Sequence, residues 1–341
     1  MELQLRLLTA QQREGLPMKY HYVFIPTLKC NMACSYCNQG HTGPDMSPEV
    51  VAALKLHLAT RLQHGMDSMH AGFFGGEPLL RKDIILELAA FAKLGIEAAG
   101  GQFDGSISTN GTLLCKETLY QLAEENIRRF QITLDGPREF HDGALGRVFA
   151  SGRGSFQVIW DRLEMIRATD LEELDVTLRV HFRPSTLDLV RRLIEDVNRA
   201  FSHDPRFHVY FHAVERWGGP NDRLTEVFQS QAEREAVQQQ LQSLLSHERM
   251  ISPINSKEYE CYASNPKSLV VMPDGKLCKC TLFFEESEVG RLLPDGKITI
   301  NAHLLSAWGI GHVLDLPEAK RCPRKVLTNA RRELGLIRRS P

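Results

Sequence analysis

Between residues 20 and 250 a short run of β-branched or aromatic residues is followed by a stretch of helical periodicity, about six times over. No other feature constrains the fold as strongly. The strand-like runs are Tyr20 to Pro26, Met69 to Phe74, Phe103 to Thr109, Arg129 to Leu134, Leu174 to Phe182 and Phe207 to Ala213. Helical stretches fall between them. One begins at Ser47-Pro48, an N-cap with proline at the first helical position; another runs from Arg81 and stops at Gly95; others start near Lys116, Phe156, Leu187 and Gln231. Repeated strand-then-helix units predict an α/β fold of parallel strands joined by helical crossovers.

The strands carry a second signal. Val176, Leu178, Val180 and Phe182 alternate with Asp175, Thr177, Arg179 and His181, and Phe207, Val209 and Phe211 alternate with His208, Tyr210 and His212. Period two puts each set on one face. Ser106, Ser108 and Asn110 share a face, as do Gln131, Thr133 and Asp135. A parallel sheet covered by helices on both sides should be apolar throughout, so a polar face predicts a lumen or cleft, with a solvated sheet face as the plainer alternative.

Charge and composition exclude several functions. The chain has 341 residues, enough for a large core, and 41 basic against 42 acidic residues give a net charge of -1. That balance gives no whole-chain attraction to nucleic acid or anionic membrane. No apolar run approaches the roughly 20 residues that span a bilayer. The N-terminal Met1-Glu2-Leu3-Gln4-Leu5-Arg6 is too charged for a signal peptide, so a cytoplasmic location is expected. The cytoplasm keeps thiols reduced, which makes metal ligation the first reading of the eight cysteines. Cys30, Cys34 and Cys37 lie together, Cys115 stands alone as a buried thiol, and Cys261, Cys278, Cys280 and Cys322 fall in the last quarter.

Cys30 to Cys37 form a Cys-x3-Cys-x2-Cys loop directly after the first strand. Three thiolates can hold an iron-sulfur cube and leave one iron open; a structural zinc site borrowing His41 is the other reading. Taken with Phe73-Phe74-Gly75-Gly76-Glu77-Pro78 after the second strand, the loop resembles the signature of the radical SAM superfamily. Ser108-Thr109-Asn110-Gly111-Thr112 and Thr133-Leu134-Asp135-Gly136-Pro137 resemble its sulfatase-maturase and peptide-maturase branch, which usually has Ser at the place of Thr133.

The resemblance implies a partial barrel of six strand-helix units over 20–250, following an N-terminal extension over 1–19. It implies a [4Fe-4S] cluster on Cys30, Cys34 and Cys37 whose open iron binds S-adenosylmethionine. Tyr36 would lie beside the adenine, Gly75 and Gly76 would let backbone approach the methionine end, and Glu77 would meet its ammonium. Ser108, Asn110 and Asp135 would contact the ribose or methionine part, and Arg179 the carboxylate. An electron donor such as flavodoxin or ferredoxin would reduce the cluster.

Cys261, thirteen residues, Gly275, four residues and Cys280 resemble the opening of the SPASM extension, with Met272-Pro273-Asp274-Gly275-Lys276 as its hairpin. Only Cys322 follows, which implies the shortened twitch form with one auxiliary [4Fe-4S] cluster over 251–341. Cys261, Cys280 and Cys322 would be its ligands, with Cys278 as the fourth or as a bystander; zinc is the alternative metal. The implied function is maturation of a ribosomally made precursor peptide by crosslinking, epimerisation or oxidation, with the peptide held along an exposed strand edge, by the C-terminal region or by another protein. Oxidation or rearrangement of a small metabolite, and a non-catalytic metal-binding interaction module, are the alternatives.

Overall fold

A computed structural model describes residues 19–39, 41–143, 146–216, 226–256 and 258–333. The N-terminal extension expected over 1–19 lies outside these residues except for Lys19, as do the basic Arg338 and Arg339.

The six expected strands form as β1 (Tyr20–Phe24), β2 (Ser68–Phe73), β3 (Gln102–Thr109), β4 (Ile127–Leu134), β5 (Asp175–Phe182) and β6 (Phe207–Ala213), all parallel and in chain order. The crossovers carry α1 (Pro48–Gln63), α2 (Lys82–Ala98), α3 (Lys116–Glu124), the single turn α4 (Arg138–His141), α5 (Phe156–Arg167) and α6 (Leu187–Phe201), and α7 (Gln231–Gln242) follows β6. Ser47 caps α1 by accepting from the Val50 amide, as its sequence suggests. Helix α2 does not stop at Gly95 but runs to Ala98. A Cβ at Gly95 would fall 2.5 Å from Leu62 Cδ1, so the glycine lets α1 approach α2 and does not end the helix.

The alternation read from the sequence separates two environments. Val176, Leu178, Val180, Phe182, Phe207, Val209 and Phe211 are buried in the main core beneath the helices. Burying each large side chain is worth roughly 1.5–3 kcal/mol. The polar set, including Ser108, Gln131, Thr133, Arg179, His181 and His212, lines a cavity on the opposite face. The barrel is open, because β6 ends the sheet and β1 continues it on the other side.

That continuation is the C-terminal region. Strand β7 (Ser268–Val271) pairs parallel with β1, and β8 (Lys276–Cys278), β9 (Glu288–Leu292) and β10 (Ile298–Ile300) add antiparallel beyond it, giving one ten-stranded sheet. The expected hairpin joins β7 to β8, with the Met272 amide donating to the Lys276 carbonyl at 2.9 Å and Gly275 at φ +81°.

The expectation of an exposed strand edge needs correcting at β6. Segment 251–255 runs along it: the Ser252 amide donates to the Val209 carbonyl at 3.0 Å. The Asn255 side chain then imitates a strand, accepting from the Phe211 amide at 3.1 Å and donating to its carbonyl at 3.2 Å. A peptide cannot pair with β6 at Val209 or Phe211 without displacing this segment.

Candidate active site at the open ends of the strands

The cysteine loop leaves β1 and is held by main-chain hydrogen bonds on two sides. On one side the Gly76 amide donates to the Thr27 carbonyl at 3.2 Å and the Glu77 amide to the Lys29 carbonyl at 2.8 Å. A Cβ on Gly75 would lie 2.3 Å from the Thr27 oxygen, and one on Gly76 2.2 Å from the Lys29 oxygen, so both glycines are required by this close approach. On the other side residues 146–150 form a short ladder against 31–35. Ala33 donates to the Val148 carbonyl at 2.9 Å, Ala150 to that of Asn31 at 3.0 Å and Ser35 to that of Gly146 at 3.3 Å.

These constraints aim the loop into a cavity of about 160 Å3 at the carboxyl ends of the strands, where parallel-sheet proteins place their ligands. Cys30, Cys34, Tyr36, Cys37, Gly75, Gly76, Ser108, Asn110 and Arg179 all line it. Asn110 reaches across to the cysteine loop, donating from Nδ2 to Asn31 Oδ1 at 2.7 Å, with Cys30 Sγ at 3.9 Å. Burial pushes the Cys34 thiol up to about 12 and raises Cys30 and Cys37 as well, while the guanidinium of Arg147 opposes the rise at each of the three.

Glu77 and Asp135 stand elsewhere than the resemblance implied. Glu77 is 0% exposed and behind the cavity wall. Its oxygens accept from the Leu79 amide at 3.0 Å, Thr109 Oγ1 at 2.7 Å and the Asn110 amide at 2.7 Å. It ties the Gly-Gly-Glu-Pro turn to the end of β3. Asp135 is also buried: it accepts from the Tyr36 hydroxyl through one oxygen and from His181 Nδ1 at 2.9 Å through the other. The hydrogen bond from His181 and the guanidinium of Arg147 hold Asp135 ionised against its burial, whereas burial brings His181 down to about 4 and keeps it neutral.

Sequence reasoning did not single out Arg147, Asn31 or His141. Arg147 is 7% exposed and donates from Nη1 to the Tyr36 hydroxyl at 2.9 Å. His141, fully buried, accepts from the Asp135 amide at 3.2 Å and pairs with Ser155 Oγ at 3.0 Å, and that hydroxyl donates to the Arg147 carbonyl. The one available signal was a charged residue inside an otherwise uncharged glycine-containing loop, Gly143 to Ala150.

The C-terminal cysteines divide. Burial raises the Cys261 and Cys280 thiols; Cys280 and Cys322 add to the rise at Cys261, Cys322 adds to that at Cys280, and all three bear on Tyr259. Cys278 lies apart, packed with Val23, Ile25, Val270 and Met272, and its Sγ donates to the Phe284 carbonyl at 3.1 Å. Between them Lys279 is fully buried, its ammonium donating to the carbonyls of Asn265 and Ser268 and to Ser268 Oγ. Cys115 is half-exposed, not buried as expected, and stands at the N-cap position of α3 with Sγ 3.2 Å from Thr118 Oγ1.

The donor set at the strand ends fits an iron-sulfur cube with a bound ligand. Three sulfurs share one cavity, and Nε of both Arg147 and Arg179 is buried there without a hydrogen-bond partner. Among the described residues, no three His, Cys, Asp or Glu side chains converge tightly enough to hold a single metal ion, a closer grouping than the corners of a cube require. Among the described residues no helix is long and apolar enough to cross a membrane.

A family model described as the Radical SAM superfamily matches residues 24–197. Among curated relatives, the AdoMet-dependent heme synthase of Oleidesulfovibrio alaskensis is 28% identical over 181 residues, 52% of this chain and 42% of that protein. The chain spans about half the length of the curated relatives it matches. Among solved structures, native anSMEcpe with bound AdoMet and Cp18Cys peptide aligns with a TM-score of 0.64 at 17% identity, covering 84% of this chain and 80% of that one. Streptococcus suis SuiB bound to S-adenosylmethionine aligns with a TM-score of 0.57 at 12% identity, covering 89% and 69%. At these identities the likeness to the solved structures is one of fold.

Proposed function

The chain belongs to the radical SAM superfamily, and from that premise we propose that it matures a peptidyl substrate by hydrogen abstraction, with Cys30, Cys34 and Cys37 as ligands of the catalytic [4Fe-4S] cluster. When bound, the cluster supplies the electron that cleaves S-adenosylmethionine and yields the hydrogen-abstracting 5'-deoxyadenosyl radical. The residues of this chain bind and orient. Gly75 and Gly76 offer main chain, Ser108 and Asn110 offer polar side chains, and Arg179 offers a guanidinium to the cosubstrate carboxylate. Tyr36 sets its ring beside the adenine. Glu77 acts from behind the wall by fixing the Asn110 turn, and Asp135 by fixing Tyr36 and His181.

We assign residues 20–250 to the catalytic barrel and 251–341 to a twitch-like region in which Cys261, Cys280 and Cys322 hold an auxiliary [4Fe-4S] cluster. The fold likeness to anSMEcpe, which was solved with a bound peptide, is the single observation that carries the peptide reading. It covers 84% of this chain. With β6 occupied at Val209 and Phe211, we seat the peptide at the cavity rim near Asn38, whose Nδ2 donates to the Leu282 carbonyl of the C-terminal region at 3.2 Å. Anaerobic incubation with S-adenosylmethionine, a low-potential reductant and a candidate precursor peptide, read by mass spectrometry in deuterated solvent, tests this. Loss of two hydrogens or gain of one deuterium in the peptide is expected. A small-metabolite substrate is the second reading, favoured by the relative named as a heme synthase. Turnover of a small molecule with no response to any peptide would establish it instead.

A further inference from the structure

Three half-buried thiolates around one cluster, with the carboxylates of Glu77 and Asp135 nearby, make a strongly negative site whose desolvation must be offset by a cation. Among the side chains lining the cavity, two are guanidiniums, and they occupy different places. Arg179 projects from β5 with its Cζ 5.8 Å from the Tyr210 ring centre, and it bears on His181, His212 and Tyr210. Arg147 lies at the cysteine loop itself, on the segment whose main chain is laddered to residues 31–35. Its backbone is fixed from three sides: the amide donates to the His141 carbonyl at 2.6 Å, the carbonyl accepts from Ser155 Oγ at 2.8 Å, and both flanking residues bond to the loop. One edge of the guanidinium is committed to the Tyr36 hydroxyl, and Nε is buried without a hydrogen-bond partner in the wall of the cavity.

Resting on the assignment of the catalytic cluster to Cys30, Cys34 and Cys37, we propose that Arg147 is the buried counter-cation of that cluster, a positioning residue that sets its reduction potential. Accepting an electron adds one negative charge to the site. A fixed buried cation beside the sulfurs stabilises the reduced form more than the oxidised form, and protein charge near a cluster is one of the established levers on its potential. The ladder makes the coupling rigid: the chain that carries the sulfurs and the chain that carries the cation cannot separate without breaking three main-chain hydrogen bonds.

The test is an EPR-monitored reductive titration of the anaerobically reconstituted full chain, the catalytic signal being identified as the one missing from Cys34→Ala. If no signal is lost in that variant, the cluster assignment itself fails, independently of Arg147. Given the signal, Arg147→Gln should move its midpoint to more negative potential, Arg147→Lys should fall between Gln and wild type because its ammonium keeps the charge but not the planar fork that bonds Tyr36 and faces the cavity together, and Arg179→Gln should move it less than Arg147→Gln. An intact cluster with an unchanged midpoint in Arg147→Gln overturns the proposal. If Arg147→Gln folds by circular dichroism but lacks the catalytic signal and the iron that accompanies it, retention of both in Arg147→Lys supports the proposal and their loss in both variants overturns it. If Arg147→Gln does not fold, wild type is compared with Arg147→Lys alone, and equal midpoints overturn it.

Discussion

The two cysteine groups of this chain are assembled differently. In the barrel, all three sulfurs come from one loop eight residues long and share one guanidinium, Arg147. In the C-terminal region the sulfurs of Cys261, Cys280 and Cys322 come from three separated segments, and two cations divide them, Lys279 bearing on Cys261 and Arg324 on Cys280 and Cys322. A single loop can be held rigid by its neighbours' main chain, as the ladders from 27–29 and 146–150 do here. A site gathered from distant segments depends on the tertiary fold, and here that fold is a strand extension of the same sheet. The loop site therefore left a motif in the sequence, and the gathered site left only a spacing.

The largest expected effect separates the two regions. A Cys30→Ala, Cys34→Ala, Cys37→Ala variant should lose the barrel cluster and keep about half of the iron and sulfide, with the absorption of a [4Fe-4S] centre. Zinc or no metal in that variant would remove the auxiliary cluster and leave the barrel cluster standing. Next comes the division of the sheet into two faces. Val180→Asp and Phe211→Asp place an unpaired charge in a fully buried core and should cost at least about 3 kcal/mol or prevent folding. His181→Ala and His212→Ala, on the cavity face, should stay folded and lose turnover. The reverse pattern by denaturant titration would mean that the faces are exchanged.

A third effect concerns acid. Burial brings His57, His141 and His181 each down to about 4 from the ordinary 6.5. Their folded pKa lies below the unfolded one, so the unfolded chain binds more protons between the two values. The stability they contribute is complete above about 6.5 and lost as pH falls toward 4. Melting temperature by circular dichroism should drop through that window, and a flat profile from pH 6.5 to 4 would refute it. Smaller is Glu77→Gln, which weakens charge-assisted acceptance from Asn110 and Thr109 and should cost roughly 1.5–3 kcal/mol. The smallest is Cys278→Ala. Packed among Val23, Ile25 and Val270, it should cost about 1 kcal/mol by cavity formation and leave the iron content unchanged. A fall in iron would make it a ligand after all.

Strand and helix order was legible because period-two and helical patterns are local, and each of the six strands begins and ends within about two residues of its sequence-based range. The roles of Glu77 and Asp135 were not. A motif names a residue without fixing which way its side chain turns, and here the orphan amide of Asn110 and the Tyr36 hydroxyl claim those carboxylates. Arg147 was invisible for a related reason: its place at the sulfurs follows from a ladder between segments more than a hundred residues apart. Cys278 and Cys280 share a spacing that suggests a common ligand pair, yet a register shift between Leu277 and Cys278 at the end of β8 accompanies their separation into different surroundings.

The most direct measurement is 5'-deoxyadenosine release from S-adenosylmethionine under anaerobic, reducing conditions, comparing the wild-type chain with Cys34→Ala at equal protein concentration. Release by the wild type and none by Cys34→Ala is the result expected of a cluster held by Cys30, Cys34 and Cys37. Equal release by both would contradict it.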